Sequence, residues 1–129
     1  MSDSRADRFK AAILAGDMAA AVDQFSDDVV FNSPVVHRPY QGKAALRAIL
    51  DAAFTVFENF RYTAEYSSTD GHVLMFRAEV DGRELQGVDI LGPSATPDAP
   101  LPELTVLTRP YSATTALRER MAALLSASS

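Results

Sequence analysis

The first half of the chain predicts helices, because its apolar residues recur every three or four positions. Ser4, followed three residues later by Asp7, marks the start of a first helix, and Gly16 marks its end. Asp17 caps a second, short helix whose apolar repeat extends to Phe25. The strongest stripe belongs to a third helix and consists of Leu46, Ile49, Leu50, Ala53, Phe54 and Phe57.

After residue 59 the spacing of apolar residues changes from about 3.6 to about 2, which is typical of β-strands. The predicted strands cover residues 29–31, 60–67, 72–80, 84–91 and 104–109. Asp70-Gly71 and Asp81-Gly82 are hairpin turns, a proline-rich loop covers 92–102, and a helix ends the chain. The predicted fold class is therefore α+β, with N-terminal helices packed on a strongly curved antiparallel sheet that leaves a cone-shaped pocket.

Composition excludes several classes of function. The 129 residues suit a single domain, residues 1–129, and 47% of them are hydrophobic, which is enough for a packed core. The net charge is −5 and no basic stripe is present, so no nucleic-acid partner is expected. The absence of cysteine removes disulfides, thiolate nucleophiles and Cys-based metal sites, and predicts a cytoplasmic protein. No apolar run has the length of a signal peptide or a membrane span, so no membrane partner is expected.

Several short motifs follow one another in an order that is specific for a fold. They are Ala15-Gly16-Asp17, Phe31-Asn32-Ser33-Pro34, Tyr40-Gln41-Gly42-Lys43, Phe76-Arg77-Ala78-Glu79-Val80, Gly87-Val88-Asp89-Ile90-Leu91 and Leu107-Thr108-Arg109-Pro110-Tyr111-Ser112-Ala113. With these motifs the chain resembles the nuclear transport factor 2-like superfamily along nearly its whole length, and in particular its SnoaL-like and ketosteroid-isomerase-like branch. The resemblance implies a cystatin-like roll with a central pocket, but it is poorly specific for the reaction.

The same resemblance implies which isomerase groups are present. Ketosteroid isomerases of this fold use a carboxylate base, together with a tyrosine and a protonated aspartic acid that donate to the oxyanion. Asp89 stands at the position of the second aspartate, whereas the tyrosine position holds Phe9 and the base position holds Ser33. Phenylalanine donates no hydrogen bond, and a serine without a neighbouring base cannot remove a proton next to a carbonyl group. Standard ketosteroid isomerisation is therefore not expected.

Strand alternation predicts the surroundings of Asp89. Asp89 shares one strand face with Leu85 and Gly87, and by the resemblance this is the concave face. Arg109 and Leu107 map to the same face of the adjoining strand, so we expect a buried Asp89–Arg109 ion pair. Pairing would hold Asp89 ionised, whereas burial alone would raise its pKa, and both outcomes stay open. In the plainer interpretations Asp89 only neutralises Arg109 or lies at a solvated rim.

Other side chains complete the candidate site. His37 lies in a loop near the expected mouth of the pocket, where it acts as a base or is merely solvated. The candidate catalytic residues are therefore Asp89 and His37. The candidate ligand-binding residues are Phe9, Ile13, Ser33, Leu50, Phe54, Phe76, Ala78, Leu85, Gly87, Leu107, Arg109 and Tyr111. Arg77 and Glu79 are predicted as charges on the outer face. Two distant histidines predict no metal site, and no cofactor motif is present.

Three functions fit these features. The first is a SnoaL-like enzyme in which Asp89 is a general acid or base for a polycyclic or other apolar small molecule. The second is a protein that binds such a molecule without chemistry, and the third is a dimerisation module. The predicted outer sheet face is apolar and contains Val73, Met75, Val88, Ile90, Leu104 and Val106. We expect a homodimer through this face, with the C-terminal helix folded over it as the alternative.

Overall fold

The computed structural model describes residues 4–94 and 96–127, and the elements below are those of this part of the chain. They are α1 (Arg5–Ala15), α2 (Met18–Val22), β1 (Phe25–Asn32), β2 (Tyr40–Gln41), α3 (Lys43–Val56), β3 (Glu58–Ser68), β4 (Gly71–Val80), β5 (Arg83–Leu91), β6 (Leu101–Arg109) and α4 (Tyr111–Ala127). Several boundaries differ from the prediction. Phe25 begins β1 rather than ending α2, Leu101 already belongs to β6, and the short strand β2 was not predicted. Phe25 and Leu101 are partners in the sheet, and this pairing draws both residues out of the helix and the loop.

The sheet has the strand order β2-β1-β6-β5-β4-β3 and is curled without closing. Strands β3 to β6 form the predicted antiparallel meander. Strand β1, however, runs parallel to β6, so the sheet is mixed rather than antiparallel throughout. The chain between β1 and β6 contains a helix and four strands, which is long enough to return in the parallel direction. The α+β class and the curved sheet are confirmed.

Side-chain capping fixes the start of the first two helices, as predicted. The Ser4 hydroxyl accepts from the backbone N–H of Asp7 at 3.1 Å, and the Asp7 carboxylate accepts from the N–H of Ser4 at 3.2 Å. Gly16 ends α1 in the left-handed region with φ 74°. Asp17 then accepts from the N–H of Ala20 at 3.0 Å and begins α2. The apolar face of α1 is buried, and its Phe9 packs edge-on against Phe25 of β1.

One face of the sheet packs against the helices and forms the core. Burial alternates along β4 and β5 with the predicted parity. The buried residues of these two strands that face the helices include Leu74, Phe76, Ala78, Val80, Leu85 and Leu91. Asp89 lies in the same row and is only 8% exposed. A carboxyl group is therefore held among apolar side chains on the concave face.

In strand β6 the two faces are exchanged relative to the prediction: the residues expected on the outer face lie on the concave face, and the reverse. Asp89 is paired with Val106, and Leu91 with Leu104. Residues paired directly in antiparallel strands share a face, so Val106 and Leu104 lie on the concave side. Leu104 is fully buried, and Leu107 is 53% exposed on the outer face. The assignment of Leu104 and Val106 to the outer face is wrong, because the run Leu-Thr-Val-Leu fits either face and only the pairing with β5 decides.

The same register separates Arg109 from Asp89. Arg109 is paired with Gln86 and donates to its Oε1 atom at 3.2 Å on the outer face. The predicted Asp89–Arg109 ion pair is therefore wrong. The two residues belong to opposite faces of the sheet, and no side-chain rotation brings them together.

Helix α4 packs on the concave side of the sheet. Its residues Leu117 and Met121 are buried, and the hydroxyl groups of Thr108 on β6 and Thr114 on α4 lie 2.7 Å apart. Arg120 also forms an ion pair with Asp81 in the β4–β5 turn. The alternative in which the C-terminal helix covers the outer face is thus wrong. Among the described residues, no helix has the length and apolar character to cross a membrane.

Candidate functional site

A cavity of about 420 Å³ lies between the concave face of the sheet and helices α1, α3 and α4. Its volume is within the range of roughly 300–1,000 Å³ that is usual for small-molecule sites. Of the residues proposed from the sequence, the cavity is lined by Phe9, Ile13, Ser33, Leu50, Phe54, Phe76 and Asp89. Most of its wall is apolar, and Asp89 is its one acidic residue among those described.

Five other candidate residues belong to the sheet but do not line this cavity, and one of them, Gly87, is described separately below. Ala78 and Leu85 are completely buried in the core. Leu107 and Arg109 border a shallow depression on the outer face. The structure does not bring these four residues to the cavity, because core packing covers Ala78 and Leu85 and the register of β6 turns Leu107 and Arg109 to the outer face.

Two candidates lie in exposed segments. His37 is exposed in the loop after β1 and does not line the cavity, although Val35 and Val36 of the same loop do. Tyr111 begins α4 and is 86% exposed. The structure therefore leaves Asp89 as the candidate acid or base at the cavity and gives His37 no contact with it.

Gly87 makes room for a phenylalanine ring. A Cβ atom at Gly87 would lie 2.3 Å from Cζ of Phe76, which is paired with Gly87 across β4 and β5 in a register without a bulge. The Phe76 ring in turn packs against Phe57 and Phe60, with ring centroids 5.8 and 5.0 Å away. Because these three rings line the cavity, the missing side chain at Gly87 shapes its aromatic wall.

Asp89 has one hydrogen-bond partner for its carboxyl group among the described residues. The Tyr62 hydroxyl donates to Oδ2 at 3.3 Å. Burial raises the pKa of Asp89 to about 7, while the hydrogen bond from Tyr62 opposes this rise. Burial also raises the pKa of Tyr62, and the neighbouring Asp89 raises it further, so the hydroxyl keeps its proton. Asp89 is thus the group that gains or loses a proton near neutral pH.

The site contains no ion pair to Asp89 among the described residues. Arg118 of α4 lines the cavity but is exposed, and no cluster of three His, Asp or Glu residues suited to a metal occurs in this part of the chain. The chemistry that the described residues offer is therefore proton donation and acceptance at one carboxyl group in apolar surroundings.

The sequence matches the family model of the SnoaL-like domain over residues 6–124. The chain belongs to the SnoaL-like domain family. It is similar to the structure of a steroid delta-isomerase from Pseudomonas aeruginosa, with 32% identity, a TM-score of 0.88, and 95% of this chain and 90% of that one covered. The predicted membership of the nuclear transport factor 2-like superfamily is thus confirmed.

Two further solved structures resemble this SnoaL-like protein. An uncharacterised protein with a cystatin-like fold from Silicibacter pomeroyi is 25% identical with a TM-score of 0.84, over 92% of this chain and 83% of that one. A putative SnoaL-like polyketide cyclase from Shewanella denitrificans is 15% identical with a TM-score of 0.65, over 89% and 94%. The second likeness shows the fold alone. A search among curated proteins finds no match.

Two parts of the site in this SnoaL-like protein were missed from the sequence. Tyr62 is not among the candidate residues drawn from the sequence, although its alternation with Arg61 and Thr63 places it on the concave face of β3. The cavity wall supplied by α4, with Leu117, Met121 and Leu125, was also missed. The apolar spacing of α4 was visible in the sequence, but nothing local indicates which face of the sheet it packs against.

Proposed function

We propose that this SnoaL-like protein binds an apolar small molecule in the cavity and exchanges a proton with it at Asp89. The observation that carries the proposal is a single buried carboxyl group in a mostly apolar wall. An apolar wall favours an apolar ligand, because water is released when both surfaces are buried. The one carboxyl group then orients the ligand through a hydrogen bond.

The protonation behaviour of Asp89 supports an acid–base role. With a pKa of about 7, the carboxyl group is present in both forms at neutral pH, which is the condition for efficient proton transfer. The protonated form donates to an oxygen of the ligand, and the carboxylate takes a proton back. The names of two similar proteins, a steroid delta-isomerase and a putative polyketide cyclase, support a polycyclic or other apolar ligand.

We expect no isomerisation of a Δ5-ketosteroid at enzyme-like rates. Phe9 and Ser33 line the cavity with Asp89, so the positions of the isomerase tyrosine and base carry neither a hydroxyl donor nor a carboxylate. A steady-state assay that follows formation of the conjugated ketone measures this. The double variant Phe9→Tyr, Ser33→Asp restores both groups and should exceed the wild-type rate. Efficient turnover by the wild-type protein would contradict the expectation.

Filling the cavity should abolish binding of an apolar probe. Ala53 of α3 lines the cavity, so the larger side chain in Ala53→Phe occupies part of its volume. The neutral dye N-phenyl-1-naphthylamine, which fluoresces in apolar surroundings, should bind the wild-type protein and lose about tenfold or more in affinity to Ala53→Phe, equivalent to about 1.4 kcal/mol. Ala48→Phe on the exposed side of α3 is the matched control and should bind normally. Equal binding by both variants places the dye elsewhere and refutes the cavity as the site.

The second candidate is binding without chemistry. It is favoured by Ser33, which occupies the position of the carboxylate base and lines the cavity. Both functions require ligand binding, but only catalysis requires the proton of Asp89. Once a ligand is found, Asp89→Asn separates them, because turnover is lost while binding of the neutral ligand is kept.

A further inference from the structure

A tyrosine from a distant strand holds one oxygen of Asp89. Tyr62 lies on β3 opposite Phe76 of β4, and its side chain extends across β4 to Asp89 on β5. The hydroxyl donates to Oδ2 at 3.3 Å. Tyr62 does not line the cavity, whereas Asp89 does. The Tyr62 hydroxyl therefore contacts the carboxyl group through the wall of the cavity and not from the cavity itself. A ligand can bind in the cavity without displacing this hydroxyl.

The Tyr62 ring is itself held in place by its neighbours. Phe60 packs edge-on against it, with ring centroids 5.0 Å apart and an interplanar angle of 86°. From α1, Lys10 places its Nζ atom 5.9 Å from the ring centroid, and the same ammonium group lies 2.7 Å from Oε1 of Glu65. The hydroxyl thus has a defined position relative to Asp89, because contacts from two elements restrict the ring.

We infer that Tyr62 is the positioning residue of Asp89: it holds Oδ2 so that Oδ1 is the oxygen that exchanges a proton with the ligand. This inference rests on the function proposed for the cavity. A hydroxyl that donates to a carboxylate stabilises the ionised form, whereas burial destabilises it. Tyr62 therefore opposes the effect of burial and keeps Asp89 able to release its proton near neutral pH.

Few other charges act on Asp89. Its strand partners Leu74 and Val106 are apolar, and the cavity-lining residues of α3 and β1 carry no charge. Of the charged side chains, Lys10 of α1 contacts the Tyr62 ring and pairs with Glu65 of β3, and Arg118 of α4 lines the cavity but is exposed. The hydrogen bond from Tyr62 is thus the specific interaction whose removal should change the acidity of Asp89.

The test is a ¹³C-NMR titration of the Asp89 carboxyl group in the ligand-free protein, with the resonance assigned by its loss in Asp89→Asn. In Tyr62→Phe, which keeps the ring and removes the hydroxyl, the proton affinity of Asp89 should rise about tenfold. Tyr66→Phe is the matched control, because Tyr66 lies on the same strand and is 60% exposed. It should leave the titration unchanged.

An Asp89 titration in Tyr62→Phe that is unchanged, or shifted to lower pH, overturns the inference, as does an equal shift in Tyr66→Phe. A second measurement covers the case in which Tyr62→Phe folds poorly. Incorporation of 3-fluorotyrosine makes the phenol a stronger donor, so Asp89 should titrate at lower pH, and no change again overturns the inference. Because no ligand is present in these titrations, failure of the wild-type protein to bind the dye contradicts the proposed function alone.

Discussion

Asp89→Asn is expected to make the protein markedly more stable at pH 8 and to leave its stability at or below pH 4 nearly unchanged. Asparagine matches the shape of the protonated carboxyl group and can still accept from Tyr62, but it never ionises. In the wild-type protein at pH 8 the buried carboxyl group is ionised, without an ion-pair partner among the described residues. The variant avoids the free energy required to keep that charge out of water.

The pH range of the effect follows from proton linkage. The pKa of Asp89 is about 7 in the folded protein and 3.8 as the ordinary value of the unfolded chain. Between these values the folded state binds more protons than the unfolded state, so wild-type stability falls as the pH rises from about 4 to about 7. Above that range no further stability is lost. At about 1.4 kcal/mol for each pH unit between the two pKa values, the total loss of wild-type stability is on the order of 4 kcal/mol.

Urea denaturation at pH 4, 6 and 8, at one protein concentration, measures this difference in the free energy of unfolding. The control is Asp28→Asn, which changes an exposed aspartate to asparagine on the same sheet. Its free energy of unfolding should not diverge from that of the wild-type protein as the pH rises. If Asp89→Asn instead destabilises the protein at pH 8, Asp89 is held ionised by a favourable partner. The expected result means that the residue proposed for chemistry is kept at the expense of stability.

A homodimer through the outer face of the sheet is expected, and Val88→Glu is expected to dissociate it completely. Val88 is the direct partner of Met75 on β4 and of Leu107 on β6, and Ile90 is the partner of Val73, so these five side chains form one apolar patch. Ile90 is 36% and Leu107 53% exposed in the single chain. Contiguous exposed apolar surface of this kind marks a contact.

The occupant that fits this patch best is a second copy of the same chain. Helix α4 packs on the concave side, so no helix among the described residues covers the patch. Arg77 and Arg109 lie on the same face as Glu79 and Glu84, so a two-fold axis can bring opposite charges together. Light scattering at micromolar concentration should give twice the mass of one chain for the wild-type protein.

In Val88→Glu the mass should fall to that of one chain, 13.9 kDa, because the new carboxylates would be buried in the interface. Ala48→Glu, on the exposed side of α3, is the matched control and should stay dimeric. Circular dichroism checks that both variants are folded. A wild-type mass near 13.9 kDa rejects the dimer.

Local sequence patterns determined most elements of this protein. The helix starts at Ser4 and Asp17 and the turn at Asp81-Gly82 depend on side chains and backbone conformations within a few residues. The alternation in β4 and β5 predicted the burial of Asp89, because polar and apolar residues there occupy opposite faces. The substitution of Phe9 and Ser33 for the isomerase groups was also visible in the sequence, since the resemblance to the family assigns these two positions.

Tertiary structure alone decided the rest of the site. From Leu104 to Thr108 the residues of β6 are apolar or neutral on both faces, so only pairing with β5 placed Val106 beside Asp89 and Arg109 on the outer face. The contact between Tyr62 and Asp89 joins strands that are not neighbours, and its existence depends on the curl of the sheet. The side on which α4 packs was likewise undetermined. In all three cases the observed packing is stabilised by contacts between residues far apart in the chain, and local sequence patterns do not predict such contacts.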